Sequence, residues 1–286
     1  MLGIIFGLIS MICFGLSNAI SQGPSQKIGS IRSTYWRGLF MVLLLFPVFL
    51  FNVNSAVFLA EYILIALGIA VVGYFPLLSF FKALDLGKIG VVSPIANSSI
   101  IITVLFSIFF YGEKPSMMRL ISIGIILLGI ILITIDLKDI RNSRLFKKET
   151  GIFFAFVSMF LWGIVSALYK IPVTVIGPVL TSLVVEVEIL ACSTVSMLRK
   201  KKSFDLPDRS ILTQVFLIAV FGSIAILSYN FGIERYNINL VASLVSASPL
   251  VATLYGKYVY NEEVTFIQWI AIFVIIAGII LLSVFH

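Results

Sequence analysis

The sequence predicts an all-α membrane protein of ten transmembrane helices, arranged as two inverted five-helix repeats around a central cavity. Three observations carry this expectation. First, the 286 residues are 60% hydrophobic and only 12% charged, with a mean hydropathy of +1.14, whereas soluble domains carry about 25% charged residues. Second, the apolar residues come in long blocks, such as Leu39 to Phe51 and Ile121 to Ile135, and a helix needs about 20 mostly apolar residues to cross the hydrocarbon core. Lipid offers no hydrogen bonds to exposed backbone, so these blocks are helices rather than open sheet, and the alternating period of a membrane barrel is absent from the sequence. Third, the chain matches itself when its second half is slid back by about 148 residues.

The spans follow in order. The first covers about 2–22; it lacks the positive n-region and small-residue cleavage site of a secretory leader and is kept as a span. The second covers 31–51, the third 60–82, the fourth 90–111 and the fifth 118–136. A polar stretch from Leu137 to Thr150 carries Lys138, Asp139, Arg141, Arg144, Lys147, Lys148 and Glu149. It is the best linker in the chain and divides an N-terminal repeat, 1–136, from a C-terminal repeat, 151–286, with 137–150 as a basic linker loop. The sixth span then covers 151–170, the seventh 177–198, the eighth 211–233, the ninth 240–260 and the tenth 266–284.

The repeat matches at telling places. Gly3-Ile4-Ile5-Phe6 falls on Gly151-Ile152-Phe153-Phe154, Phe14-Gly15 on Trp162-Gly163, and Pro24 on Pro172. After one residue of slippage Asp85 falls on Glu234, Tyr111-Gly112-Glu113 on Tyr260-Asn261-Glu262, and Gly129 on Gly278. Five is odd, so the second half enters the membrane in the opposite orientation, a construction common in secondary transporters. Loops after odd-numbered spans are basic, carrying Lys27, Arg32, Lys88, the linker, Arg199-Lys200-Lys201-Lys202 and Arg209; loops after even-numbered spans hold little beyond Lys114, Arg119 and Arg235. The positive-inside rule places the odd loops in the cytoplasm and both termini outside.

The motifs resemble those of the EamA-type drug/metabolite transporters: Trp162-Gly163 and Phe14-Gly15 early in matching spans, Arg37 after a short loop, and Tyr111-Gly112-Glu113 and Tyr260-Asn261-Glu262-Glu263 closing the fourth and ninth spans before last helices with Gly129 or Gly278. The resemblance covers essentially the whole chain. It implies ten helices, a central cavity lined by spans 1, 3, 4, 6, 8 and 9, and export or uptake of amino acids and other small metabolites.

The residues themselves nominate a site. Ionisable side chains deep in a span cost at least about 2.5–3.5 kcal/mol and are functional candidates by default. Glu186 and Glu188 sit near the centre of the seventh span and point about 200° apart. Ser182, Glu186 and Ser193 form one polar stripe, so Glu186 is the inward carboxylate. Both are proton-coupling candidates, because burial disfavours a charged carboxylate; a structural ion pair of Glu186 with Arg37 is the alternative. Arg37, about two turns into the second span, is either a partner for an anionic substrate group or a snorkelling side chain, and the same snorkelling accounts for Lys82, Lys170 and Lys257. Glu113 and Glu262 end their helices against the dipole and are expected to cap the helices that follow. Asn18, Tyr74, Asn97, Trp162, Tyr169, Tyr229, Asn230 and Ser246 are polar or aromatic residues fitting a substrate cavity, with Pro76 and Pro249 beside two of them; the alternative is interhelical hydrogen bonding. Trp162 offers a flat face to an apolar or aromatic substrate. Gly124, Gly129 and Gly278 permit close helix contact, inside one chain or across a dimer face.

Other classes fit less well. The net charge of +7 lies between apolar blocks, as topology demands, rather than in a nucleic-acid patch. Cys13 and Cys192 form neither a disulfide framework nor a metal spacing, and the single histidine, His286, is the last residue. The expected protein is therefore no enzyme and needs no cofactor: it is a multi-pass cell-membrane secondary transporter of a small metabolite, working by alternating access with possible proton coupling, as monomer or homodimer. A channel-like permease is the alternative, and an integral membrane enzyme comes after it.

Overall fold

A computed structural model describes residues 2–87, 89–134, 151–259 and 265–284. The expected linker 137–150, Lys88, Tyr260 to Glu263 and His286 lie outside the described residues. The first half holds α1 (Leu2–Ile28), α2 (Ser30–Asn52), a short 3-10 turn, α3 (Ala60–Leu86), α4 (Ile89–Asn97), α5 (Ile100–Tyr111) and α6 (Met117–Thr134). The second holds α7 (Ile152–Leu168), α8 (Lys170–Ile176), α9 (Pro178–Arg199), α10 (Arg209–Arg235), α11 (Ile238–Ser246), α12 (Ser248–Val259) and α13 (Phe266–Val284).

Among the described residues, eight helices or broken helix pairs are long and apolar enough to cross a membrane. Two shorter apolar helices, Met117–Leu132 and Phe266–Leu282, lie where the fifth and tenth spans were expected. Large apolar side chains such as Phe51, Phe109 and Phe273 stand mostly exposed on the outer surface, which suits a lipid surround and not water.

Two expected spans are not continuous. The fourth breaks between α4 and α5 at Ser98-Ser99, and the ninth between α11 and α12 at Ala247. Hydropathy is uninterrupted through both, so a span count cannot register them. The causes are local. Asn97 Nδ2 donates to the Ser93 carbonyl (2.8 Å) and Ser98 Oγ to the Pro94 carbonyl (3.0 Å), side-chain bonds that compete with the helical ladder. At the second break Pro249 has no N–H to donate to the preceding turn. The sixth span has a one-residue turn at Tyr169 and continues through α8 to Ile176, beyond the expected end at 170.

The halves interlock rather than stand side by side. α1 packs on α10, α3 on α7, α2 on α9 and α6 on α13; α1 also carries α11 and α12, as α7 carries α4 and α5. The repeat register is visible in atomic detail. Ser10 Oγ donates to the Ala225 carbonyl (2.9 Å) and Ser158 Oγ to the Pro76 carbonyl (3.0 Å), and these donors and acceptors are 148 and 149 positions apart in sequence. A Cβ on Gly15 would lie 2.8 Å from the Ser248 carbonyl oxygen, and one on Gly163 would lie 2.8 Å from that of Ser99. Each glycine thus lets a whole helix approach a broken one in the other half. Gly29 (φ 79°) and Gly177 (φ 86°), also repeat mates, supply the left-handed links before α2 and α9. Gly129 and Gly278 press against α13 and α6 respectively and serve packing within the chain, whereas Gly124 faces open space.

Candidate functional site

A cavity of about 150 Å³ lies where the two broken spans meet. Ser248 Oγ, opening α12, donates to Asn97 Oδ1, ending α4, at 2.9 Å, so the breaks of the two halves touch across the cavity. The lining comes from α1 (Phe14, Ser17, Asn18, Ser21), α3 (Gly73, Leu77, Phe81), the α4–α5 break (Asn97, Ser99, Ile100, Thr103), α7 with Tyr169 (Trp162, Ser166), α10 (Ile226, Tyr229) and α11 (Ala242, Val245, Ser246). The family resemblance implied this set of spans. The structure adds the second and seventh: Arg37 of α2 and Glu186 and Ile189 of α9 also line the cavity.

Arg37 and Glu186 form a bidentate ion pair, Nη1 to Oε2 at 2.9 Å and Nη2 to Oε1 at 3.1 Å. Arg37 is 8% exposed and Glu186 3%, so snorkelling to the membrane surface does not describe Arg37. The two residues are 149 positions apart, the repeat offset itself. The pair therefore sits at one position used twice, where the halves face each other. Parallel charge-assisted bonds of this kind are about twice as strong as neutral ones, and the geometry holds both side chains rigidly against the cavity.

Around the pair stands a mixed wall. Trp162 packs its ring on Phe80 with centroids 5.1 Å apart and shows its other side to the cavity. Tyr229 donates its hydroxyl to the Ser166 carbonyl (3.2 Å). Asn18 and Trp162 have no side-chain hydrogen-bond partner among the described residues, so the cavity is lined by polar groups with capacity to spare. Asn97 is fixed by its bonds to Ser93 and Ser248. Ser246 Oγ donates within its own helix to the Ser243 carbonyl (2.7 Å).

Of the residues nominated from sequence, Arg37, Glu186, Asn18, Asn97, Trp162, Tyr169, Tyr229 and Ser246 come together around one cavity. Tyr74, Glu188 and Asn230 do not line it. Tyr74 turns away beside its cavity-lining neighbour Gly73 and donates its hydroxyl to Ser196 Oγ at 2.7 Å, on the α3–α9 contact. Glu188 accepts a long contact from Cys192 Sγ (3.6 Å) on its own helix, on the side opposite Glu186. Ser182, on the expected polar stripe, is buried but accepts from Asn230 Nδ2 (2.8 Å) rather than facing the cavity. The sequence reading passed over Ser21, Phe81, Thr103 and Ser166. The repeat offset could have found two of these: Ser166 matches Asn18, and Ser21 matches Tyr169, each 148 positions apart.

Glu113 corrects a second expectation. It does not cap the following helix α6. Its carboxylate accepts the backbone N–H groups of Ile238 (3.2 Å) and Asn239 (3.4 Å), the first turn of α11 in the other half, and pairs with Lys170 Nζ at 2.6 Å. Lys170 is thus a paired, partly exposed side chain and not a free snorkelling one. Lys82 pairs with Asp85 (2.6 Å), and Lys257 lies over the Trp269 ring at 4.4 Å. Among the described residues no cluster of three or more His, Cys, Asp or Glu could hold a metal ion.

Known proteins agree with this architecture. A model of the EamA-like transporter family matches the chain twice, at residues 1–135 and 149–284. An uncharacterized transporter of Archaeoglobus fulgidus is 24% identical over 291 residues, covering 99% of this chain and 98% of its own. The uncharacterized inner membrane transporter YedA of Escherichia coli strain K12 is 25% identical over 198 residues, covering 68% of this chain and 61% of its own. A protein of known crystal structure superposes with a TM-score of 0.78 at 16% identity, covering 99% of this chain and 97% of the other, and so shares the fold. With a multi-pass helical body and two family matches in tandem, the chain belongs to the EamA-like transporter family.

Proposed function

We propose that this protein is a ten-span secondary transporter that moves a small metabolite, an amino acid or related solute, across the cell membrane by alternating access. The observation that carries the reading is the Arg37–Glu186 pair set in the cavity wall between the two broken spans. An amino acid brings one carboxylate and one ammonium group. The carboxylate replaces Glu186 at the Arg37 fork, and the freed Glu186 takes either the ammonium group or a proton. With the ammonium group on Glu186 all four charges stay paired, which avoids the heavy cost of an isolated ion; the proton arm balances only for a solute that brings a carboxylate and no ammonium group. Trp162 and Phe14 then hold the side chain, and Asn18 supplies unspent hydrogen-bonding capacity. Inverted five-helix halves (1–136 and 151–286, joined through 137–150) alternate the cavity between the two sides. The basic odd loops lie in the cytoplasm.

Counterflow in proteoliposomes tests this, with a panel of labelled amino acids and with and without a pH gradient. Saturable exchange is expected, abolished in a Glu186→Gln variant that still purifies as a monodisperse protein. Wild-type flux in that variant removes Glu186 from both substrate and proton roles. Flux that fails to saturate replaces the carrier with a channel.

A further inference from the structure

The cavity is flanked by two contacts that occupy the same place in the two repeats but differ in chemistry. At one, Lys170 pairs with Glu113 at 2.6 Å and lies 5.1 Å over the Tyr111 ring. The side chains are 22% and 8% exposed. Glu113 belongs to the first half, while Lys170 and the α11 backbone it caps belong to the second, so the cluster ties half to half. It lies next to the lining without being part of it: Lys170 follows the lining residue Tyr169, and α11 carries Ala242, Val245 and Ser246 into the wall. A carboxylate at a helix N-terminus is favoured by the helix dipole, and charged partners strengthen each hydrogen bond.

At the other, 148 positions before Lys170, stands Gln22. It follows the lining residue Ser21, and its Oε1 accepts the backbone N–H of Ile89 at 3.1 Å. Ile89 opens α4 as Ile238 opens α11, and the two are repeat mates 149 positions apart. In each half the N-terminus of the first broken helix is thus held by a side chain of a neighbouring span, Glu113 in one case and Gln22 in the other. Glu113 has a cation beside it, Lys170, whose side chain is 22% exposed. Position 22, the match of Lys170, holds an uncharged amide, and Glu262, the match of Glu113, lies outside the described residues.

We propose that the Lys170–Glu113 pair is a latch that holds its end of the cavity shut more firmly than the Gln22 end, and so sets which side the empty carrier faces. This rests on the alternating-access reading above. Two inverted halves would otherwise give two conformations of similar backbone energy, and a contact made in only one of them shifts the population by its own free energy. The loop charges place the Lys170 end outside and the Gln22 end in the cytoplasm, so the latch leaves the empty carrier open to the cytoplasm.

The test is thiol accessibility of the full chain in membrane vesicles of known sidedness. A Ser246→Cys reporter is placed in the cavity wall in a Cys13→Ser, Cys192→Ser background and labelled with a membrane-impermeant maleimide from each face. The latch is then broken in two mild ways. Lys170→Gln installs the residue the chain already uses at position 22. Glu113→Gln keeps an oxygen to accept the α11 N–H groups. The parent is expected to label faster from the cytoplasmic face, and either variant to shift the ratio of rates toward the outer face by about tenfold, in line with a hydrogen bond between charged groups. A ratio that stays within about twofold of the parent, or a parent that labels faster from outside, overturns the latch and leaves alternating access standing. Rapid labelling of the parent from both faces at once removes alternating access and the latch with it.

Discussion

Neutralising both members of the Arg37–Glu186 pair should cost clearly less than the two single neutralisations added together. The guanidinium nitrogens lie 2.9 and 3.1 Å from the two carboxylate oxygens, with side chains only 10% and 4% exposed. Charge centres about 4 Å apart attract by roughly 4 kcal/mol at an effective dielectric near 20. Glu186→Gln forfeits that attraction and leaves Arg37 as an uncompensated buried ion, which costs about 3–5 kcal/mol. Arg37→Met leaves the opposite charge stranded at similar expense. The double variant strands nothing, so its loss should fall short of the sum of the single losses by about 2 kcal/mol or more, within the range of directly interacting residues. The assay is denaturant unfolding in mixed micelles, followed by circular dichroism for the parent, both single variants and the double. Because the two positions are repeat mates facing each other, the exchanged pair Arg37→Glu with Glu186→Arg should recover much of the loss as well. Single losses that add to within about 0.5 kcal/mol would refute the reasoning, since independent sites behave that way.

Two further predictions follow from packing and the repeat. Gly129→Ala places a Cβ 2.6 Å from Ile275 Cγ1 and 3.0 Å from its backbone nitrogen, so it should destabilise the α6–α13 contact by about 1–3 kcal/mol. Gly124→Ala on the same helix meets nothing within 4 Å and should be neutral or slightly stabilising in the same unfolding assay. Ser10→Ala and Ser158→Ala remove equivalent hydrogen bonds of 2.9 and 3.0 Å. Each should cost about 0.6 kcal/mol, the usual value for such bonds between membrane helices, and a marked inequality between the two would show that the halves do not share their packing.

Hydropathy and charge made the helical membrane body and the two halves legible, because lipid imposes those patterns on any chain that crosses it. The breaks at Ser98-Ser99 and Ala247 were not legible in the averaged hydropathy, which stays high across both spans; their signal is local, in Pro94-Ile95-Ala96-Asn97-Ser98-Ser99 and Ser246-Ala247-Ser248-Pro249, where side-chain hydrogen bonds and proline compete with the helical ladder. Glu113 was misplaced for a different reason. The dipole argument correctly demanded a helix N-terminus, and the nearest one in sequence was α6. The fold brings a closer one from more than a hundred residues away, at Ile238, which a linear reading cannot see. Tyr74 illustrates the angular limit. Its neighbour Gly73 lines the cavity, and one residue of helix turns the side chain by about 100°, enough to move it to the α3–α9 contact.

The lining of the cavity pairs off under the repeat: Phe14 with Trp162, Asn18 with Ser166, Ser21 with Tyr169, Arg37 with Glu186, Leu77 with Ile226 and Asn97 with Ser246. The positions are two-fold, but the chemistry is not. Leucine faces isoleucine, yet a cation faces an anion, and a small hydroxyl faces a phenol. A lining with two-fold chemistry would receive any solute equally well in two opposed orientations, and could not distinguish its ends. Arg37 opposite Glu186 removes that degeneracy at the point nearest the pseudo-axis, where a symmetric pair would be either two like charges in apolar surroundings or two neutral groups. Under the proposed alternating access, the repeat would supply two conformations of similar backbone cost. The departures from it, at the lining and at Lys170 and Gln22, are where a preference for one orientation of solute and one facing of the carrier has to come from.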